Sequence, residues 1–223
     1  EAEILFGNQT STGDIEGEII KSSSHIPIKD EIIDILDSFI GDINQTPPMY
    51  SSLKHKGKSL YKYARKGITL DIKPRKITIN SIKYISLEDK TLKLIINCGK
   101  GTYIRVLAED IAKKLGTVGT LGNLRRIESA NFKIDKALNL DLINQKNIVK
   151  KIISPGDALN CLNKIQCAPE IIDKIIKGQK VEMKLTSEDR FLRLFDKNKI
   201  FKGIVENCEG YLKPKRLLTI DKN

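Results

Sequence analysis

The sequence predicts a protein of mixed α/β (α+β) composition, and three observations predict it. Hydrophobic residues fall at every second position in residues 1–6 and again in residues 92–98, the period of a half-buried strand. Ile104, Leu107, Ala108, Ile111 and Leu115 recur instead at helical spacing, on one face. A polar, basic stretch at 144–151 is then followed by several short apolar runs, the pattern of a linker leading into a small, mostly β domain.

Taken in order, Ala2, Ile4 and Phe6 alternate with Glu1 and Glu3 as a first strand, and residues 7–14 form a polar loop dense in turn formers. Ile32, Ile35, Leu36, Phe39 and Ile43 suggest a helix that Gly41 frays near its end. Pro47 and Pro48 force extended backbone. Residues 59–66 form a short helix stopped by Gly67. Ile77 and Ile79, then Ile82 and Tyr84, describe one strand with a phase slip, as a bulge produces. Residues 88–90 turn the chain into the strand at 92–98, and Gly116 closes the helix that follows. Past the linker, a helix is expected at 169–177 and strands at 191–195, 200–205 and 216–220.

Composition narrows the function. Lys and Arg number 39 against 28 Asp and Glu, a net charge of +11, which favours polyanionic partners. A chain rich in Lys, Ile and Asn also arises from AT-rich coding, so the distribution of charge decides more than its sum. Residues 43–70 hold no acidic side chain, yet contain Lys54, Lys56, Lys58, Lys62, Arg65 and Lys66 interleaved with Tyr50, Tyr61 and Tyr63. Cations hold phosphates and aromatic faces stack on unpaired bases, a mixture suited to RNA. The four cysteines show no C-x-x-C spacing and the two histidines lie far from them, so no metal site is expected. No stretch approaches the roughly 18 apolar residues of a membrane helix. The chain opens on Glu1 without a signal-like segment, reads as cut, and is expected in the cytoplasm.

The junction Cys98-Gly99-Lys100-Gly101-Thr102-Tyr103-Ile104-Arg105 is the most informative segment. Ile104 stands where a dinucleotide fingerprint needs its third glycine, and no G-K-[ST] follows. Arg105 lies in the first turn of its helix, where the macrodipole disfavours a cation, so an anionic partner is expected.

These residues match a known family. Residues 45–54, Gln-Thr-Pro-Pro-Met-Tyr-Ser-Ser-Leu-Lys, continuing through Gly57, Leu60-Tyr61 and Ala64-Arg65, resemble the substrate-gripping insertion of the bacterial tRNA pseudouridine-55 synthases. Lys100-Gly101-Thr102-Tyr103-Ile104-Arg105, with Glu109-Asp110 and Leu115-Gly116, resembles that family's active-site motif, and Leu124-Arg125-Arg126 follows in place. Thr10, Thr12, Asp14 and Gly17 resemble the loop after an early core strand; Phe201-Lys202-Gly203 and residues 214–218 resemble a small C-terminal RNA-binding domain. Gly99 replaces a usual serine, and Ile127-Glu128-Ser129-Ala130 replaces a commoner Thr-x-x-Gly. The family's G-T-L-D-P-type segment, which carries the nucleophilic aspartate, is not among these 223 residues; the resemblance places it upstream of Glu1, with a substrate-stacking tyrosine just before Glu1.

The resemblance implies a mixed, largely antiparallel sheet flanked by helices at 1–143, with an RNA-gripping insertion at about 45–76, a linker at 144–151 and a PUA-like domain at 152–223. It implies isomerisation of the T-loop uridine of tRNA by base flipping, without metal or cofactor, in a protein that is monomeric when complete. Arg105 would pair with the nucleophilic carboxylate, Tyr103 would stack on the base, Leu124 would wall the pocket and Asp14 would touch the flipped nucleotide. Lys54, Lys56, Lys58, Lys62, Arg65 and Lys100 would contact RNA. Two rival readings are an RNA-binding or chaperone protein without catalysis, and another RNA-modifying transferase sharing only the C-terminal module. The first-half motifs argue against the transferase.

Overall fold

The computed structural model describes residues 1–183, 185 and 188–218. It divides into two units, Glu1–Ile127 and Glu128–Asn223.

The first unit is built on β1 (Ala2–Phe6), β2 (Asn8–Thr10), β3 (Ile19–Ser22), α1 (Lys29–Leu36), β4 (Gly41–Gln45), β5 (Lys54–His55), β6 (Lys58–Ser59), α2 (Leu60–Ala64), β7 (Arg75–Glu88), β8 (Thr91–Cys98), α3 (Ile104–Lys114) and β9 (Gly119–Leu124). Its central sheet has the order β4-β7-β8-β1-β9, and every pair in it is antiparallel. The first strand therefore lies inside the sheet, with Ile4 opposite Leu92 on one side and Leu121 on the other. Period-2 alternation sends Ala2, Ile4 and Phe6 to the buried face, where Leu92, Leu94 and Ile79 join them. The phase slip in β7 is a register shift between Ile79 and Ser81, with a second between Tyr84 and Ser86.

The buried stripe of α3, Leu107, Ala108, Ile111 and Ala112, packs on that face. Each large apolar side chain removed from water there contributes about 1.5–3 kcal/mol. β9 can approach α3 closely because Gly119 has no side chain: a β-carbon there would stand 2.9 Å from the Ala112 methyl.

Two expectations for this unit need correction. Residues 8–10, expected as loop, form β2 and pair with β3. The helix expected to reach Ile43 ends at Leu36, and a 3-10 turn over Asp37–Phe39 follows. Ile43 lies in β4, to which Gly41 turns the chain with φ +102°. The four-residue step from Phe39 to Ile43 mimics a helical turn, but Gly41 between them takes a conformation that no helix holds.

The second unit contains β10 (Glu128–Ser129), β11 (Phe132–Lys133), α4 (Ile148–Lys151), α5 (Pro155–Ala158), β12 (Lys164–Gln166), α6 (Pro169–Ile176), β13 (Val181–Glu182), β14 (Phe191–Phe195), β15 (Phe201–Cys208) and β16 (Tyr211–Leu217). Its sheet runs β12-β14-β15-β16-β13, with β12 and β14 parallel and the other pairs antiparallel. Its own core gathers Ile172, Ile175, Leu192, Leu194, Val205 and Leu212. The units divide at residue 127, earlier than the linker expected at 144–151, where α4 forms instead. Asn131 explains part of this, because its amide donates to Ala158 O at 3.4 Å and to the Asn160 side chain. The last strand begins at Tyr211, before the expected residue 216, and carries Pro214 next to the register shift at Ile204/Val205. Such a shift is where a sheet tolerates proline. Thr219 and Ile220, expected in that strand, lie outside the described residues.

Candidate active site and RNA-gripping insertion

Three segments of the first unit converge on Arg105. The first is the loop after β2. Thr10, buried, bonds Thr120 hydroxyl to hydroxyl at 2.9 Å and donates to Asp14 O at 2.6 Å. Leu121 N donates to Gly13 O at 3.0 Å and Ile15 N donates to Leu121 O at 3.2 Å, so the loop is stitched to β9. Gly13 takes φ +76° beneath Glu109, whose Oε1 would stand 3.3 Å from any β-carbon added at Gly13. The second segment is the start of the insertion, through Tyr50. The third is α3 itself.

From the second position of α3, Arg105 Nη1 donates to Asp14 Oδ2 and to Thr12 O, both at 3.0 Å, while Nη2 donates to Tyr50 O at 2.6 Å. Its planar fork suits this divided task, which an ammonium could not perform. Asp14 Oδ1 accepts from Thr12 Oγ1 at 2.6 Å and from Glu16 N at 3.3 Å. The two charged side chains are 24% and 27% exposed, so the pair is shielded from solvent more than a surface bridge. A cation in the first turn of a helix calls for an anionic partner, and in this structure Asp14 supplies it.

A cavity of about 340 Å³ opens beside this junction, lined among others by Thr12, Tyr50, Ile68, Arg105, Val106 and Glu109. Glu109 lies one turn after Arg105, and Gln9 Nε2 donates to its Oε1 at 3.3 Å. Burial raises its carboxyl above the ordinary range, against the smaller opposing effects of Gln9 and Arg105; the neighbouring Asp110 charge raises it further. Burial likewise raises Asp110. Sequence reasoning had given Glu109 no role, although its spacing of four from Arg105 puts both on one helix face.

Tyr103 caps the N-terminus of α3 but does not line this cavity, and neither do Leu124, at the end of β9 and 53% exposed, or Lys100, which is exposed. Gln45 was also given no role of its own. Its buried amide accepts from Tyr103 N at 2.8 Å and donates to Tyr103 O at 3.1 Å.

The insertion is a compact body. Lys56 and Gly57, at φ +47° and +80°, turn β5 into β6 with the twist that two-residue hairpins prefer. Leu60 is fully buried, and its N–H donates to Leu53 O at 2.7 Å. His55 meets Tyr63 edge-on, and Arg65 lies 5.3 Å from the Tyr61 ring centre. Lys54, Lys56, Lys58, Lys62 and Arg65 are all exposed. Among the described residues none of the five makes an ion pair.

Residues 1–104 match the model of the TruB family pseudouridylate synthase N-terminal domain, and residues 164–218 match pseudouridine synthase II TruB, C-terminal. The chain is 35% identical to tRNA pseudouridine synthase B of Methylobacillus flagellatus, covering 96% of this chain and 72% of that protein. It is 36% identical to the enzyme of the same name from Clostridium kluyveri, with 97% and 76% covered. A crystal structure of a Cbf5-Nop10-Gar1 complex shares the fold, with a TM-score of 0.63 at 17% identity over 97% of this chain and 66% of that one. No described helix is long and apolar enough to cross a membrane. The two family models and the extent of the likeness to these relatives together make the chain a member of the TruB family of pseudouridine synthases.

Proposed function

We propose that this chain grips the T-arm of a tRNA and presents its T-loop uridine for isomerisation to pseudouridine. The observation that carries the reading is the exposed, acid-free basicity of the insertion, without ion pairs among the described residues and joined through Tyr50 to Arg105 at the edge of a cavity. Lys54, Lys56, Lys58, Lys62 and Arg65, with Lys100 at the strand–helix junction, hold phosphates, and Tyr61 offers a face to an unstacked base. The uridine leaves its stack for a site walled by Leu124, where Tyr103 stacks on it and Asp14 contacts the flipped nucleotide. The second unit supplies further RNA contacts as a PUA-like domain.

Pseudouridine formation breaks the bond from ribose to uracil nitrogen, turns the base and joins it through carbon. An aspartate nucleophile does this only if held ionised and oriented, and Arg105 is the cation suited to hold it. It would do so while sharing its guanidinium with Asp14. No Gly-Thr-Leu-Asp-Pro segment lies within the 223 residues, so a polypeptide of these residues alone is expected to bind tRNA without isomerising it. The alternative reading is an RNA-binding or chaperone protein on the same scaffold without catalysis, which the exposed basic insertion would serve equally well. Cysteines that are all free and a tRNA substrate fit work in the cytoplasm.

The test is filter binding of tRNA together with tritium release from uridine-labelled tRNA, with and without a fragment of a relative that bears the aspartate. Salt-dependent binding, no release alone and release on addition support the enzyme. Binding with no release in either case supports the non-catalytic protein. Release by the 223 residues alone would show that the nucleophile lies among them, and absence of binding would end both readings.

A further inference from the structure

The insertion meets α3 at two places close together in sequence. At Gln45, the last residue of β4, a side-chain amide that is only 3% exposed pairs with both backbone groups of Tyr103. At Tyr50, a carbonyl accepts from Arg105. Between them run Pro47 and Pro48, whose fixed φ makes the link stiff. The two contacts land on Tyr103 and Arg105, the N-cap and the second residue of α3.

That N-terminus is otherwise poorly secured. Tyr103 provides no side-chain cap, and no acidic residue lies in the first turn. Its N–H is one of the donors that a helix start leaves without a partner, and Gln45 Oε1 is what satisfies it. Its carbonyl already accepts from Leu107 N at 3.1 Å, and Gln45 Nε2 takes its second lone pair. A glutamine amide presents donor and acceptor side by side, as a peptide unit does, and here spends one of each on Tyr103. Leucine would leave the N–H without a partner and the carbonyl with Leu107 alone, and glutamate would keep the acceptor but not the donor.

We propose that Gln45 is a positioning residue that couples the insertion to the first turn of α3, so that RNA held on the insertion orders Tyr103 and Arg105. The inference rests on the reading that the insertion binds RNA. With the stiff link bolted at both ends, the insertion cannot settle on a ligand without pulling on the residues meant to meet the base.

The experiment is hydrogen–deuterium exchange on the full 223-residue chain, with and without a T-arm stem-loop RNA, in wild type, Gln45→Ala and Gln45→Glu. In wild type the RNA should slow exchange in residues 50–66 and also in residues 102–106, at least tenfold in the latter. In Gln45→Ala the insertion should still be slowed while residues 102–106 lose most of that response. Gln45→Glu, which keeps the acceptor for Tyr103 N–H and guards against a misfolded alanine variant, should fall between. A glutamine that merely stabilised the fold would raise basal exchange yet leave the RNA-induced slowing intact. Equal slowing of 102–106 in all three proteins therefore overturns the proposal, as does wild-type slowing confined to the insertion. Absence of slowing in the insertion itself would instead overturn the RNA-binding reading, and the coupling with it.

Discussion

Arg105 and the lysines of the insertion belong to the same unit, yet their charges are used in opposite ways. Arg105 is mostly shielded and spends its donors on Asp14, Thr12 and Tyr50. Lys54, Lys56, Lys58 and Lys62 are exposed, with no ion pair among the described residues. The first is cohesion, where a cation holds three chain segments in register. The second is reserve, where cations hold nothing of the protein and stay available to phosphate. A cation's depth and partners distinguish the two: Arg65, exposed and without an ion pair among the described residues, belongs with the lysines.

The comparison breaks if cohesion at Arg105 is illusory. Arg105→Ala strands a half-buried carboxylate and two carbonyls, so it should cost about 2–3 kcal/mol of stability in a urea titration. Arg105→Lys should recover less than half, having no fork. A loss below about 0.5 kcal/mol for alanine would place Arg105 with ordinary surface cations.

The reserve is tested by replacing Lys54, Lys56, Lys58 and Lys62 together with alanine. Affinity for tRNA should fall about tenfold or more at low salt, about 1.4 kcal/mol. The slope of log affinity against log salt should flatten by about 3 if each lysine meets one phosphate of a single strand. Stability should stay within about 0.5 kcal/mol of wild type, since these side chains hold nothing internal. An unchanged salt slope would remove them from the RNA surface.

Glu109 sharpens the comparison from the acidic side. Burial raises its carboxyl above the ordinary 4.5, so the folded state keeps the proton to higher pH than the unfolded state does. Stability is then fully present below that ordinary value and declines as pH rises through the raised one. Glu109→Gln, of equal shape and without charge, should match wild type near about pH 4 and exceed it near about pH 7, by less than either effect above. Urea midpoints across that range decide it, and a gap that closes toward neutral pH would reverse the sign.

The smallest effect is expected at Tyr61. Its ring lies under Arg65, an exposed cation–π contact worth about 0.5 kcal/mol, so Tyr61→Leu should barely move a thermal melt. A loss of several kcal/mol would show that the insertion depends on this ring for its fold.

How much of this was readable from sequence depended on distance along the chain. β1, the buried stripe of α3 and β14 follow from local periodicity, and all three stand as the pattern suggests. β9 was missed because Gly119-Thr-Leu-Gly-Asn-Leu shows no alternation of large and polar residues. Of its buried residues Gly119 and Thr120 are small, which lets α3 press on it, and Leu121 is the one large apolar side chain. At the site, the need of Arg105 for an anion came from the helix dipole, a local argument. That Asp14 would answer it, from 91 residues away, had no local signal. Gln45 was visible only as part of a motif, since its role arises from a contact 58 residues away. Leu124 looked like a pocket wall by resemblance alone, and it ends its strand facing solvent.

The contact between Gly119 and α3 also bears on how this chain can drift. A side chain at 119 would press on Ala112, on Ile4 and on the Leu5 carbonyl at once, at 2.9, 3.3 and 3.3 Å. Retreat at Ala112 could only be to glycine, which weakens a helix interior by about 1 kcal/mol. Retreat at Ile4 would hollow an inner strand of the sheet. Each neutral step away from the present pair is thus closed by a different neighbour, and Gly119 and Ala112 should vary together among related chains or not at all. The same closure fixes where α3 begins relative to the sheet, and so Arg105 inherits its aim from a position that carries no functional group.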